Sequence, residues 1–315
     1  MVETSSGGPG LLAFVFPGQG TQRVGMAREL YDGLPACRAL LEAAQEAAGF
    51  DLLRLMFDGP EDDLTATENQ QPAILATSAA HLIALRERGV PEPAMVAGHS
   101  LGEYTALVAA GVLGVPEAVR LVRRRGELMA AAGQGEHAGC MAVVLGLAVQ
   151  ALEELCARAR EDGGVWVSNL NAPGQTVISG TVAGVESACR AAREAGAKRV
   201  TRLPVSGAFH CELMAPAAEE FWPDLAVTPF SDARVPVVQN WDAQPHTSAE
   251  ELREGLRRHF VRGVLWQTSV ERMVELGARR FVEIGPAFPL SGMIRRISGE
   301  AEVWTCQDWL NSEEA

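Results

Sequence analysis

Residues 94–112 constrain the fold of this chain more than any other stretch. A short apolar run, Ala94-Met95-Val96-Ala97, leads into Gly98-His99-Ser100-Leu101-Gly102, and a helix-forming stretch follows from Glu103 to Val112. Strand, tight turn and helix in that order form the unit of an α/β fold with a parallel sheet, because a parallel neighbour is reached only by a crossover. An earlier apolar run, Leu11-Leu12-Ala13-Phe14-Val15-Phe16, ends at Pro17-Gly18-Gln19-Gly20 in the form of a buried strand opening into a glycine loop. Helical patterns are predicted over 28–41 and 72–86.

From about residue 139 the rhythm changes. Strand 141–145, helix 151–160, strand 165–169, a hairpin turn at Asn171-Ala172-Pro173-Gly174, strand 176–179, helix 185–195 and strand 199–203 give the βαββαβ order of the ferredoxin-like plan. Leu152, Leu155, Cys156 and Ala159, and likewise Val185, Ala188, Cys189 and Ala192, make stripes on one side of each helix, as helices on one face of a sheet require. The division expected is a large α/β domain over 1–138 and 205–315, interrupted by a small ferredoxin-like domain over 139–204. In the resumed domain the sequence predicts a strand over 235–238 and a helix opened by the capping box Ser248-Ala249-Glu250-Glu251. A helix from Gln267, a strand over 280–284 and a last helix over 289–297 complete it. The ends, 1–9 and 311–315, are expected to be loose.

A chain of 315 residues that is 47% hydrophobic can bury a large core. Its formal charge of -13 has the wrong sign for gripping phosphate backbones, which argues against a nucleic-acid partner. The six cysteines show no CxxC spacing and no clustered histidines, so they read as buried reduced thiols and not as a disulfide frame or metal site. Without a signal-like start or a membrane-length apolar run, a cytoplasmic protein is expected. Lys198 is the only lysine.

Gly98-His99-Ser100-Leu101-Gly102 fits the G-x-S-x-G nucleophile elbow, in which small residues on either side let a strained turn expose the serine hydroxyl. A serine at neutral pH needs a base. Of His81, His99, His137, His210, His246 and His259, His99 points away from an elbow serine, His81 sits in a helical pattern, and His137 and His246 lie in polar loops. His210 is the best candidate, with a capping or core histidine as its bland alternative. No Asp or Glu offers itself as a third member, so a dyad is expected. Arg125 falls in the middle of an apolar helix face made by Ala118, Leu121, Val122, Leu128 and Met129. A guanidinium there snorkels, pairs with an internal carboxylate or awaits an anionic ligand.

Read together, Phe16-Pro17-Gly18-Gln19-Gly20, Gln71-Pro72, Gly98-His99-Ser100-Leu101-Gly102-Glu103, Arg125-Gly126, Asn171-Ala172-Pro173-Gly174-Gln175 and Gly207-Ala208-Phe209-His210 resemble one family. It is that of the malonyl-CoA:acyl-carrier-protein transacylases of fatty-acid synthesis and the free-standing acyltransferases of polyketide synthases. The resemblance implies a hydrolase-like large domain with a ferredoxin-like insert. It makes Ser100 the acylated nucleophile, His210 its base, Gln19 and Leu101 the N–H donors of the oxyanion hole, and Arg125 the clamp for a malonyl carboxylate. Gln71, Met129 and Phe209 would line the acyl pocket, and a main-chain carbonyl at or near His259, placed by spacing from Trp266, would orient the base.

The implied reaction is ping-pong transfer of a malonyl or related carboxyacyl group from coenzyme A to the phosphopantetheine thiol of an acyl carrier protein. It uses no cofactor and no metal, with the thioester as substrate. Leu101 and Phe209 resemble malonyl-selective sites, whereas Gly207-Ala208-Phe209-His210 departs from the fatty-acid enzymes toward those serving polyketide assembly. Docking an acidic carrier on an acidic enzyme needs a local positive patch, for which Arg253, Arg257, Arg258 and Arg262 are candidates, with a solvated helix face as the alternative. The rivals are an editing acyl hydrolase of the same fold, a silent docking subunit and a carboxylesterase. Nothing in the sequence calls for more than a monomer.

Overall fold

The computed structural model describes residues 10–133, 138–205 and 207–311. The strands in chain order are β1 (Leu11–Phe16), β2 (Met95–Gly98), β3 (Gly139–Leu145), β4 (Val165–Ala172), β5 (Gln175–Thr181), β6 (Arg199–Arg202), β7 (Val237–Val238), β8 (Pro245–His246), β9 (Ala278–Glu283) and β10 (Glu302–Thr305). They pair into a six-stranded sheet of order β10-β9-β1-β2-β7-β8 and a four-stranded sheet of order β4-β5-β3-β6. Neighbours in the larger sheet are parallel except for the short β7–β8 pair. Those in the smaller are all antiparallel. The fold is thus mixed α/β with a sheet rich in parallel pairs.

The unbroken apolar run of β1 follows from its central place. Leu12, Phe14 and Phe16 point into one core while Ala13 and Val15 point into the other, so both faces of the strand are covered. The smaller sheet has its own core, where Leu152, Leu155, Val185 and Ala188 of helices Val149–Ala159 and Val182–Glu194 meet Cys140, Ala142, Val144 and Ile178. Each fully buried Leu or Val there contributes about 1.5–3 kcal/mol.

Several expected elements differ. The pattern over 28–41 is split into Arg28–Gly33 and Pro35–Ala48, because Pro35 forces Leu34 into extended backbone (φ -125°, ψ 113°). The helix expected over 72–86 starts earlier, at Thr67, and runs to Glu87 with Pro72 inside it. Pro72 deprives the Glu68 carbonyl of its helical donor, and Arg123 Nη1, from the helix Val115–Ala132, donates to that carbonyl instead at 3.2 Å. The capping box does not close. Ser248 is the N-cap of Ala249–His259 but makes no capping bond; Asp232 Oδ1 accepts the Ala249 N–H at 2.9 Å, and Glu251 turns to His246 at 3.5 Å. The helix Pro289–Ile297 is not the last element, since β10 and the helix Cys306–Asn311 follow. Asn311, expected to be loose, closes that helix; the ends 1–9 and 312–315 lie outside the described residues.

Candidate active site

The end of β2 is held by close backbone packing. A Cβ on Gly98 would collide with the Gly102 backbone, and a Cβ on Gly102 with the Phe16 carbonyl, so the turn between them passes directly over the end of β1. Ser100 is left with φ 53°, a left-handed backbone that serine adopts only when its surroundings impose it. His99 points away, as the sequence predicts: its N–H donates to the Phe16 carbonyl and its Nε2 lies 2.8 Å from Asn171 Oδ1.

Ser100 Oγ lies 2.8 Å from His210 Nε2, and His210 Nδ1 lies 3.0 Å from the His259 carbonyl. Because a carbonyl only accepts, Nδ1 carries the proton, and Nε2 is free to accept from the serine hydroxyl. His210 is buried, and burial together with the nearby Arg125 guanidinium pushes its pKa down to about 3. The ring is therefore neutral, as a base must be. The other histidines are accounted for: His81 Nδ1 bonds to the Thr77 carbonyl and His246 pairs with Asp242. His137 lies outside the described residues.

Arg125 is 2% exposed and makes no ion pair among the described residues. Nη1 donates to Gln71 Oε1 at 2.7 Å and Nη2 to Ser100 Oγ at 3.2 Å, while Gln71 Nε2 reaches Met129 Sδ at 3.4 Å. The rings of Tyr104 and Phe260 flank the guanidinium, each 5.7 Å away. Of the three fates open to this arginine, snorkelling and internal pairing are both absent. Phe209 is buried beside the base. Among the described residues neither the Gln19 nor the Leu101 N–H donates to a protein acceptor, whereas Gly20 N–H is taken by Gln22 and Gln70. A groove of about 750 Å³ between Met26, His81 and Leu310 does not include the dyad. Size is a weaker guide here than chemistry.

Two buried residues were given no role by the sequence reading. Asn240 accepts the Ser100 N–H through Oδ1 at 2.8 Å and donates Nδ2 to the Gly98 carbonyl at 2.6 Å. Glu103 stands behind it with burial pushing its carboxyl up to about 8. The available signal for Asn240 was its place just after the apolar pair Val237-Val238, at the carboxyl end of a parallel strand where ligands and site residues gather.

A profile of the acyl transferase domain family matches residues 13–300. The chain belongs to the acyl transferase family. Within it, the chain is 45% identical over 289 residues to the malonyl CoA-acyl carrier protein transacylase of Bacillus subtilis, covering 91% of this chain and 90% of that one. It is 42% identical to the enzyme of that name from Escherichia coli K12, over 90% of this chain and 92% of the other. Among solved acyl transferase structures, an acyl carrier protein S-malonyltransferase from Vibrio cholerae superposes with TM-score 0.90 at 40% identity, over 93% of this chain and 96% of that one. A malonyl-transacylase solved in complex with a type II polyketide synthase acyl carrier protein gives TM-score 0.89 at 40% identity, over 94% of both chains.

Proposed function

We propose that this member of the acyl transferase family moves a malonyl group from coenzyme A to an acyl carrier protein through an acyl-enzyme on Ser100. The observation that carries the proposal is Arg125, a buried cation that makes no ion pair among the described residues and lies 3.2 Å from the nucleophile. Malonyl-CoA brings the missing carboxylate, and a fork of guanidinium donors matches it in shape and charge.

In the first half-reaction the Ser100 Oγ–H proton passes to His210 Nε2 as Oγ bonds to the thioester carbonyl carbon. The carbonyl oxygen becomes an oxyanion, for which the unused N–H groups of Leu101 and Gln19 are the donors we assign. The C–S bond then breaks, and coenzyme A leaves as a thiol with the proton from His210. In the second half the phosphopantetheine thiol of the carrier gives its proton to His210 as its sulfur bonds to the acyl carbon; the acyl C–Oγ bond then breaks, and His210 returns the proton to Oγ, restoring Ser100. The His259 carbonyl stabilises the imidazolium in both halves, so no carboxylate is needed against the base. Gln71, Met129 and Phe209 line the acyl pocket, and no cofactor or metal enters these steps.

We read residues 1–138 and 205–315 as a hydrolase-like large domain with Ser100 on its elbow, and residues 139–204 as a ferredoxin-like insert. Support comes from the strand order β4-β5-β3-β6 with both helices in one core. The docking patch is better sought in the insert than where the sequence reading placed it. Arg257 and Arg258 are engaged by Glu219 and Glu254, and Arg253 donates to the Thr228 carbonyl, which leaves Arg262 as the one of the four with no side-chain hydrogen bond or ion pair among the described residues. In contrast Arg190, Arg193, Lys198, Arg199 and Arg202 make no ion pair among the described residues, and Glu194 is the sole acid in 190–202. We place the reaction in the cytoplasm on a monomer, consistent with six free buried thiols. No described helix is long and apolar enough to cross a membrane. The editing hydrolase is not favoured, since it has no use for Arg125.

Intact mass after brief exposure to malonyl-CoA, acetyl-CoA or methylmalonyl-CoA tests the proposal. A malonyl adduct that is lost in Ser100→Ala is expected. Release of free malonate without any adduct would instead point to the hydrolase.

A further inference from the structure

The base has no carboxylate against it, yet a carboxylate stands one layer behind. Glu103, in the first turn of the helix Gly102–Ala109, has 0% exposure. Its Oε2 accepts the Asn240 N–H at 2.8 Å and its Oε1 accepts Gln239 Nε2 at 3.1 Å. The same Oε2 lies 3.7 Å from His259 Nδ1, an ion-pair distance and not a hydrogen bond. Two of these neighbours lead straight to the dyad. Asn240 fixes the backbone on both sides of His99 through the Ser100 N–H and the Gly98 carbonyl. His259 supplies the carbonyl that holds His210, and its ring stacks on the His210 ring at 4.7 Å with an interplanar angle of 21°.

We infer that Glu103 is a positioning residue for acyl transfer: its carboxyl group braces Asn240 against His259 and so fixes the Ser100 hydroxyl relative to His210. The inference rests on the Ser100–His210 reading above. A buried acid is costly to retain where a hydrophobic residue would pack as well, so its retention asks for a task. With its carboxyl raised by burial, Glu103 works as a hydrogen-bonding brace and not as a counter-ion to the base. Glutamine keeps the shape but turns an NH2 donor toward one of two N–H donors, so one arm of the brace is lost.

Steady-state kinetics of Glu103→Gln with malonyl-CoA and holo-carrier protein, beside thermal melts and capture of Ser100 by a fluorophosphonate, test this. We expect kcat to fall about 10-fold or more with KM within about twofold, and phosphonylation to slow by the same factor in protein that still melts cooperatively. A kcat within about twofold of wild type overturns the inference. So does a loss that disappears once rates are expressed per titrated active site. Should Glu103→Gln not fold, His259→Leu removes the ring while keeping the carbonyl; a fall in kcat at constant KM supports the brace, and an unchanged kcat overturns it. Ser100→Ala separates the two levels. If it still accepts malonate, the reading of the site itself is wrong; if it is inert while Glu103→Gln behaves as wild type, only the role of Glu103 is.

Discussion

Arg125 shows how much one residue can carry. Its guanidinium spends one nitrogen on Gln71 and points another at the nucleophile, so the fork is already aimed before any substrate arrives. A lysine keeps the charge but offers a single point of attachment and loses the flanking fit between Tyr104 and Phe260. Arg125→Lys is therefore expected to lower kcat/KM for malonyl-CoA by about 100-fold, roughly 2–3 kcal/mol, while acylation by acetyl-CoA is unchanged or faster. Equal losses with both thioesters would show that the arginine only supports the fold. This residue was legible because helical periodicity places it inward and a guanidinium cannot shed its charge. The roles of Asn240 and Glu103 were not, since a polar residue in a sequence, even one inside a matching stretch as Glu103 is, carries no sign of burial until the chain around it is folded.

At the scale of elements, the pairing of helix Thr67–Glu87 with helix Val115–Ala132 sets the acyl pocket. Gly126 lets them touch, because a Cβ there would stand 2.6 Å from Glu68 Cα, and the close approach brings Arg125 onto Gln71. Arg123 seals the same junction by donating to the Glu68 carbonyl orphaned by Pro72 and to Asn69 Oδ1. Replacing it by methionine should cost about 1–2 kcal/mol in urea unfolding. The exposed Arg120→Met on the same helix should stay within about 0.5 kcal/mol. Equal effects would mean that Pro72 needs no such repair. Strands β1, β2, β7, β9 and those of the smaller sheet were readable because apolar runs and alternation are local signals, whereas the short β8 and β10 were not called. Helices Leu52–Asp58, Glu61–Thr65 and Ala215–Val227 were missed: the first two are too short for a period, and the third carries Pro216 and Pro223.

For the molecule as a whole, buried titratable groups set the pH range in which it is most stable. His81, His99, His210 and His259 all have pKa values lowered by burial from 6.5, so below that pH the unfolded chain takes up protons that the folded protein refuses. Glu103 and Glu283 are raised by burial from 4.5 to about 8 and about 7, so above 4.5 the unfolded chain releases protons that the folded protein keeps. Between 4.5 and 6.5 the two sets oppose each other; above 6.5 the histidine contribution fades while the carboxyls still act, and stability falls with pH through the range of their raised values, about 7 to about 8. Melting temperature should fall between pH 6.5 and 8, and a continuous rise to pH 8 would contradict the assignment. The smaller sheet, finally, is stitched to the rest next to the base. Leu170 N–H donates to the Val264 carbonyl, Val264 N–H donates to the Ser168 carbonyl, and Arg296 reaches Pro173 and Gln175. A chimera that exchanged 139–204 alone between relatives would have to re-form these contacts, two of them five residues from His259 and the others on Arg296. The piece that can be inherited or grafted intact is the smaller sheet with its helices together with the segment around 259–264 and Arg296, so recombination in this lineage should find its viable crossovers outside all three.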